Sequence, residues 1–136
     1  MKPSEALRNG LKLNIPQGYG RLFGKLPDTS RETFCACAVG QMVLGTGAVG
    51  VDLGDGVVVG ARGGTRVTPG GEVPAMYAAA AWGGLDLRTH LPDGHPLRVL
   101  WGQAGDTCLN TLIYHANDVM RLPLEQIADT LESHGF

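Results

Sequence analysis

Cys35, Cys37, Cys108, His115, Asn117 and Asp118 are the residues of this 136-residue chain whose types and spacing bear on chemistry. A thiol beside an imidazole, with an amide or carboxylate to orient the ring, is the arrangement of a nucleophilic cysteine. Cys35 falls one turn into an expected helix, where the helix N-terminus favours the thiolate. Cys108 and His115 are seven apart, which puts them on one helix face, and Asp118 follows three residues later within reach of the ring. The candidate catalytic residues are therefore Cys35 and His115. No nucleophile motif surrounds any of the cysteines. Free cysteine also packs as a small hydrophobe, so the structural reading of the thiols is the stronger one.

Metal and phosphate chemistry fare worse. Cys35 and Cys37 form a C-x-C pair, and on a helix their side chains diverge by about 200°, too far apart to share one ion. Adding Cys108 and His115 makes a Cys₃His set whose spacing matches no zinc module. Asp86, His90, Asp93 and His95 place four potential ligands within ten residues, but turn formation and solvation account for them. Gly45-Thr-Gly-Ala-Val-Gly50 matches the dinucleotide fingerprint by letter, yet that motif needs a strand before it and a helix after it. Here a helix is expected before it and a hairpin after it. Gly60-Ala-Arg-Gly-Gly-Thr lacks the lysine of a phosphate loop. No metal and no cofactor is expected.

The elements that must carry these residues read as follows. Asp28–Gly47 predicts a core helix from about residue 30 to 44. Thr29 and Glu32 form a capping box, Phe34, Ala38 and Met42 recur at helical spacing, and Gly45 and Gly47 stop it. Small residues along it (Ala36, Ala38, Gly40) let another element pack closely. Ser4 caps a short helix ending at Gly10, and Leu11, Leu13 and Ile15 alternate as one short strand before Pro16. Gln17–Gly24 is a loop anchored by Tyr19, Leu22 and Phe23. Val49, Val51 and Leu53, then Gly54-Asp55-Gly56 and Val57–Val59, predict a hairpin. Further turns at Gly63-Gly64 and Pro69–Gly71 extend it to a small meander. Pro74 opens a short helix through Trp82, and Leu97–Trp101 reads as one more strand. A helix from Asp106 or Thr107 carries Leu109, Leu112, Ile113 and Ala116 as one apolar stripe, and Asn117-Asp118 interrupts it. Pro123 opens the last helix, whose Leu124, Ile127, Ala128 and Leu131 repeat the stripe. The two form an αα-hairpin.

Composition bounds the function. The chain is 43% hydrophobic and 18% charged, which suits one domain with a real core, residues 1 to 136. Residues 1 to 31 hold six Lys/Arg against Glu5 and Asp28, a balance of +4, and the remainder holds five Arg against eleven acids, −6. That asymmetry suits a basic face meeting the protein's own acidic half, or an acidic partner. An acidic chain without interleaved aromatic and basic residues is a poor nucleic-acid binder. Leu122–Leu131 has the look of the first helix of a helix-turn-helix, but no recognition helix follows it. No apolar run reaches the roughly eighteen residues of a membrane span, and residues 1 to 30 hold no signal-peptide core. Three cysteines, an odd number, read as free thiols in the cytosol.

Leu-Arg-x-Gly-x-Lys-Leu at 7–13, Cys-Ala-Val-Gly at 37–40, and Asn117-Asp118 followed by Leu-Pro-Leu-Glu-Gln-Ile-Ala-Asp-x-Leu occur in that order. Together they resemble small bacterial and phage-associated domains of unknown function with a C-A-x-G-A helix, an Asn-Asp pair and a terminal E-x-I-A-x-x-L helix. The resemblance covers the two ends of the chain, with Gln41 standing where the pattern has a small residue. It implies a shared helical core, a functional role for Cys37, Asn117 and Asp118, and no particular activity. Residues 45 to 105 read as a glycine-rich insert. The expectation is an α+β fold with a helical core, a C-terminal αα-hairpin and a β meander. Its expected function is a small cytosolic binding or regulatory module acting on a protein partner. The alternative is a small-ligand binder or thiol-dependent enzyme using Cys35 or Cys37 with His115, Asn117 and Asp118.

Overall fold

Helix α1, Pro3–Leu11, starts the chain with Lys2 extended before it and Pro3 in its first turn. Proline is suited there because it lacks an amide the helix would leave unpaired anyway. The helix thus begins before Ser4, which lies buried within it rather than capping it. After Leu11 the chain leaves in turns through Asn14, whose φ of 54° only short polar residues and glycine adopt readily. The strand expected over Leu11–Ile15 is absent because these turns end at Pro16, and Leu13 is half exposed. The computed structural model describes residues 1–20, 22–26, 33–52, 56–59, 66–67, 83–102 and 108–136.

Strands β1, Phe23–Leu26, and β2, Thr33–Ala36, form an antiparallel pair with Phe23 opposite Ala36 and Gly24 opposite Cys35. Gln17 adds a parallel bridge to Ala36, with the Gly18 N–H donating to Ala36 O at 2.9 Å. Helix α2 then runs Ala38–Gly45. The helix expected from residue 30 therefore starts only at Ala38, and Thr33–Ala36 within the expected span is strand. Ladder bonds on both sides of Ala36 outweigh the helical periodicity of the same residues, which a pleated, buried strand satisfies equally well. Thr29 and Glu32, the expected capping box, lie outside the described residues.

Close packing governs α2. Every residue from Ala38 to Leu44 is buried. A Cβ on Gly45 would overlap the carbonyl oxygen of Ala6, and one on Gly10 the carbonyl oxygen of Gln41. The α1–α2 contact is thus backbone against backbone, which the small residues of this stretch made expected. Past α2, strands β3 (Val49–Asp52), β4 (Gly56–Val59) and β5 (Arg66–Val67) form an antiparallel sheet in sequence order. Val49 pairs with Val59 and Asp52 with Gly56, so the expected hairpin is present. The turns at Gly63-Gly64 and Pro69–Gly71 and the helix expected over 74–82 lie outside the described residues.

Helix α3, Pro96–Trp101, occupies the segment expected as a strand. Pro96 in the first turn and the His95 side chain, whose Nδ1 accepts from the Leu97 N–H at 3.1 Å, supply start signals that a five-residue apolar pattern does not reveal. Helix α4, Leu109–Tyr114, follows with Cys108 extended before it. It widens directly into a π-helical turn, His115–Val119, closed by Met120 N–H donating to His115 O at 3.0 Å. Asn117-Asp118 thus sits inside a continued helix rather than ending one. The corner comes later, at Arg121, with φ 51°. Helix α5, Leu124–Ser133, buries Leu124, Ile127, Ala128 and Leu131 as expected.

The observed architecture is α+β. One apolar cluster joins Ala6 and Leu7 of α1, Met42 of α2, Trp101 of α3, Ile113 of α4 and Leu131 of α5. Helix α5 packs chiefly on α1, so α1 rather than the C-terminal pair covers most of α2. Arg8 of α1 donates to Asp129 at 2.7 Å and Glu132 at 2.6 Å on α5. Those hydrogen bonds, Asp129 first, hold its guanidinium above its ordinary value. The basic start of the chain meets its acidic end there.

Candidate functional site

Asn117 is the centre of the corner where the C-terminal half meets α2. The side chain is fully buried, and both of its polar atoms are engaged twice. Its Oδ1 accepts from the Ala38 N–H at 3.0 Å and from Gln17 Nε2 at 3.0 Å. Its Nδ2 donates to Gly18 O at 2.9 Å and to Asp118 Oδ1 at 2.6 Å. A helix leaves its first amides unpaired, and Cys37, before α2, has no side chain that caps. Asn117 supplies the missing acceptor from 79 residues away. The π turn is what delivers it, since one extra residue in the turn rotates the following side chains relative to α4.

The sequence-derived candidates converge here in part. Asn117 and Asp118 touch, and Asn117 reaches the amide that follows Cys37. Cys35 lies beside the same loop: a Cβ on Gly18 would stand 2.8 Å from its Sγ. The helix N-terminus expected to favour its thiolate is not where Cys35 lies. Cys35 is on a strand rather than at a helix N-terminus, and burial pushes its thiol pKa up, opposed only by the Gly24 amide. A raised value disfavours the thiolate, which is the nucleophile. Neither influence comes from His115. Cys37 is fully buried at the extended residue before α2. The imidazole of His115 is partly exposed, and its Nδ1 is buried without a hydrogen-bond partner.

The second thiol pairing also separates. Cys108 is extended, not helical, and its Sγ lies 3.7 Å from Leu87 O. Seven residues of helix rise roughly 10 Å, so a shared face would not have made contact. Cys108 instead pairs through the backbone with His90. The loop candidates are spent on local structure. Asp86 accepts from the Arg88 N–H at 2.9 Å, Asp93 pairs with Arg98 at 2.6 Å, and His95 caps α3. No group of three metal-binding side chains occurs among the described residues. Gly45–Gly50 has α2 before it and β3 after it, the reverse of what a dinucleotide needs.

Several contributors had little sequence signal. Gln17 joins Asn117 to Leu122 O, and Gln41, fully buried in α2, donates to Ile15 O at 2.9 Å while its Oε1 has no partner. Outside the corner, the Arg121 guanidinium lies 4.5 Å above the Tyr19 ring, a cation–π distance. Val119 is 63% exposed and Met120 40%. The groove of about 360 Å³ on the outer side of α1, between Lys2, Lys12 and Glu132, is lined by charges and lies apart from this corner.

Comparison of the chain with protein-family models, curated proteins and solved structures finds no match. Among the described residues no helix is long and apolar enough to cross a membrane.

Proposed function

We propose that the chain is a small cytosolic binding or regulatory module that acts through protein–protein contacts, of the phage or mobile-element origin its resemblance implies. One observation carries this reading. At the π-turn corner the polar atoms of Asn117 are taken up by the fold, while Tyr19, Val119, Met120 and Arg121 are exposed to solvent. Aromatic residues, methionine and arginine are the types enriched where proteins meet. Three free thiols support the cytosolic part.

The test compares the wild type with Val119→Asp and Met120→Asp, each first shown to unfold at the wild-type denaturant midpoint. Val99→Asp, on the outer face of α3, is the control. A single protein retained from bacterial lysate by the wild type and the control, and lost on both rim variants, is the expected result. Equal retention by all four proteins refutes the assignment of this face. The small-ligand reading keeps one favouring observation, the buried and unpartnered Nδ1 of His115. Native mass spectrometry of the purified protein tests it, and a mass equal to that of the bare chain counts against it.

A further inference from the structure

Arg121 follows the π turn in the left-handed region, with φ 51°, where glycine is the easier residue. A bulky side chain held there points to a use outside the fold. Arg121 is also the only Lys or Arg after Arg98, in a stretch that holds five Asp and Glu.

The guanidinium is positioned but its hydrogen-bonding capacity is open. It lies 4.5 Å from the centre of the Tyr19 ring. Arg8 and Arg98 donate to carboxylates, those of Asp129 with Glu132 and of Asp93. Arg121 has no hydrogen bond or ion pair among the described residues, and Asp118, three residues before it, is bonded to Asn117 instead. A guanidinium seated on an aromatic face is pre-organised, and its forked N–H groups match the two oxygens of a carboxylate. Val119 and Met120, immediately before it, are exposed and apolar.

We propose that Arg121, held over Tyr19, selects the partner by pairing with an aspartate or glutamate side chain of a protein segment, while an apolar residue of that segment packs on Val119 and Met120. The proposal rests on the binding-module reading above and adds the chemistry of the partner. Charge decides the occupant. One fork matches one carboxylate, whereas a nucleic acid needs several cations and meets repulsion from Asp118 and Glu125 in the same stretch.

Selection of displayed random peptides on three proteins tests this. They are the wild type, Arg121→Gly, and the double variant Val119→Ser with Met120→Ser, which adds no charge. Arg121→Gly suits the backbone, so it removes the side chain without straining the fold. Peptides enriched by the wild type and lost on the double variant should carry Asp or Glu next to an aliphatic or aromatic residue. On Arg121→Gly that acid preference should disappear. For one enriched peptide, replacing its acid by the matching amide should weaken binding to the wild type about tenfold, the scale of a charge-assisted pair, and to Arg121→Gly by less than about twofold. Peptides that depend on Val119 and Met120 but show no acid preference overturn the carboxylate pairing and leave the binding face standing. So does a tenfold amide effect that persists in Arg121→Gly. If no enriched peptide depends on Val119 and Met120, the face and the pairing both fall.

Discussion

Removing the Asn117 side chain should cost far more than its single position in the sequence implies. Asn117→Ala leaves two buried backbone groups unpartnered, the Ala38 N–H and the Gly18 carbonyl. An orphaned buried polar group costs about 1–3 kcal/mol, so the pair amounts to about 2–6 kcal/mol. Domain stabilities are about 5–15 kcal/mol, which makes this change close to unfolding. Gln17 limits the damage, because its Nε2 still donates to Leu122 O. Asn117→Asp is the sharper variant. It keeps the acceptor for Ala38 but loses both donors, and it sets a carboxylate against Asp118 Oδ1, now 2.6 Å from Asn117 Nδ2. Adding Asp118→Asn returns one donor to the pair and should recover part of the loss. Equilibrium urea unfolding with the m-value held common measures all three. A cost below about 1 kcal/mol for Asn117→Ala would refute the trans-capping argument. So would an Asn117→Asp variant no weaker than Asp118→Asn alone.

Gly45→Ala reverses the usual sign: a helical glycine replaced by alanine ordinarily gains about 1 kcal/mol, but here the new methyl overlaps Ala6 O and should cost at least about 1–3 kcal/mol in thermal unfolding. Because burial raises the Cys35 thiol pKa, the folded state prefers the protonated form. Its stabilising contribution is complete below the ordinary thiol range, near pH 8.5, and is lost as pH rises toward the raised folded value. Cys35→Ala should therefore flatten the alkaline limb of the stability profile, and an unchanged limb would count against the argument. Iodoacetamide on the native protein should modify partly exposed Cys108 before buried Cys35 and Cys37, as peptide mapping would read. Arg8→Ala should weaken the fold in low salt and less so in high salt, since both its ion pairs are exposed to screening.

What could be read from the amino acids divides by the range of the interaction. The α5 stripe, the β3–β4 hairpin and the tight seat of α2 follow from spacing, turn residues and side-chain size, all local properties. Cys35 shows the limit. A strand and a helix through this segment can present the same apolar letters, and only the pairing of Phe23 with Ala36 decides between them. That partner lies 13 residues away. Leu97–Trp101 failed for a nearer reason: its helix depends on an imidazole acting as a cap, a role more often taken by Ser, Thr, Asp or Asn.

The Asn-Asp pair carries the same lesson into function. Asn117 and Asp118 stood out because polar residues beside a thiol and an imidazole have the composition of an active site. The structure gives Asn117 an equally demanding task with no substrate in it. A helix N-terminus that begins straight from a strand, at a fully buried Cys37, has no room for its own cap, so the acceptor must come from another element. Burial then requires that every other polar atom of that acceptor also be matched, and Gln17, Gly18 and Asp118 match them. Such a residue tolerates substitution as poorly as a catalytic one. Its intolerance in a mutational scan would therefore not identify an active site, whereas intolerance at Val119, which is 63% exposed, would point to a binding face.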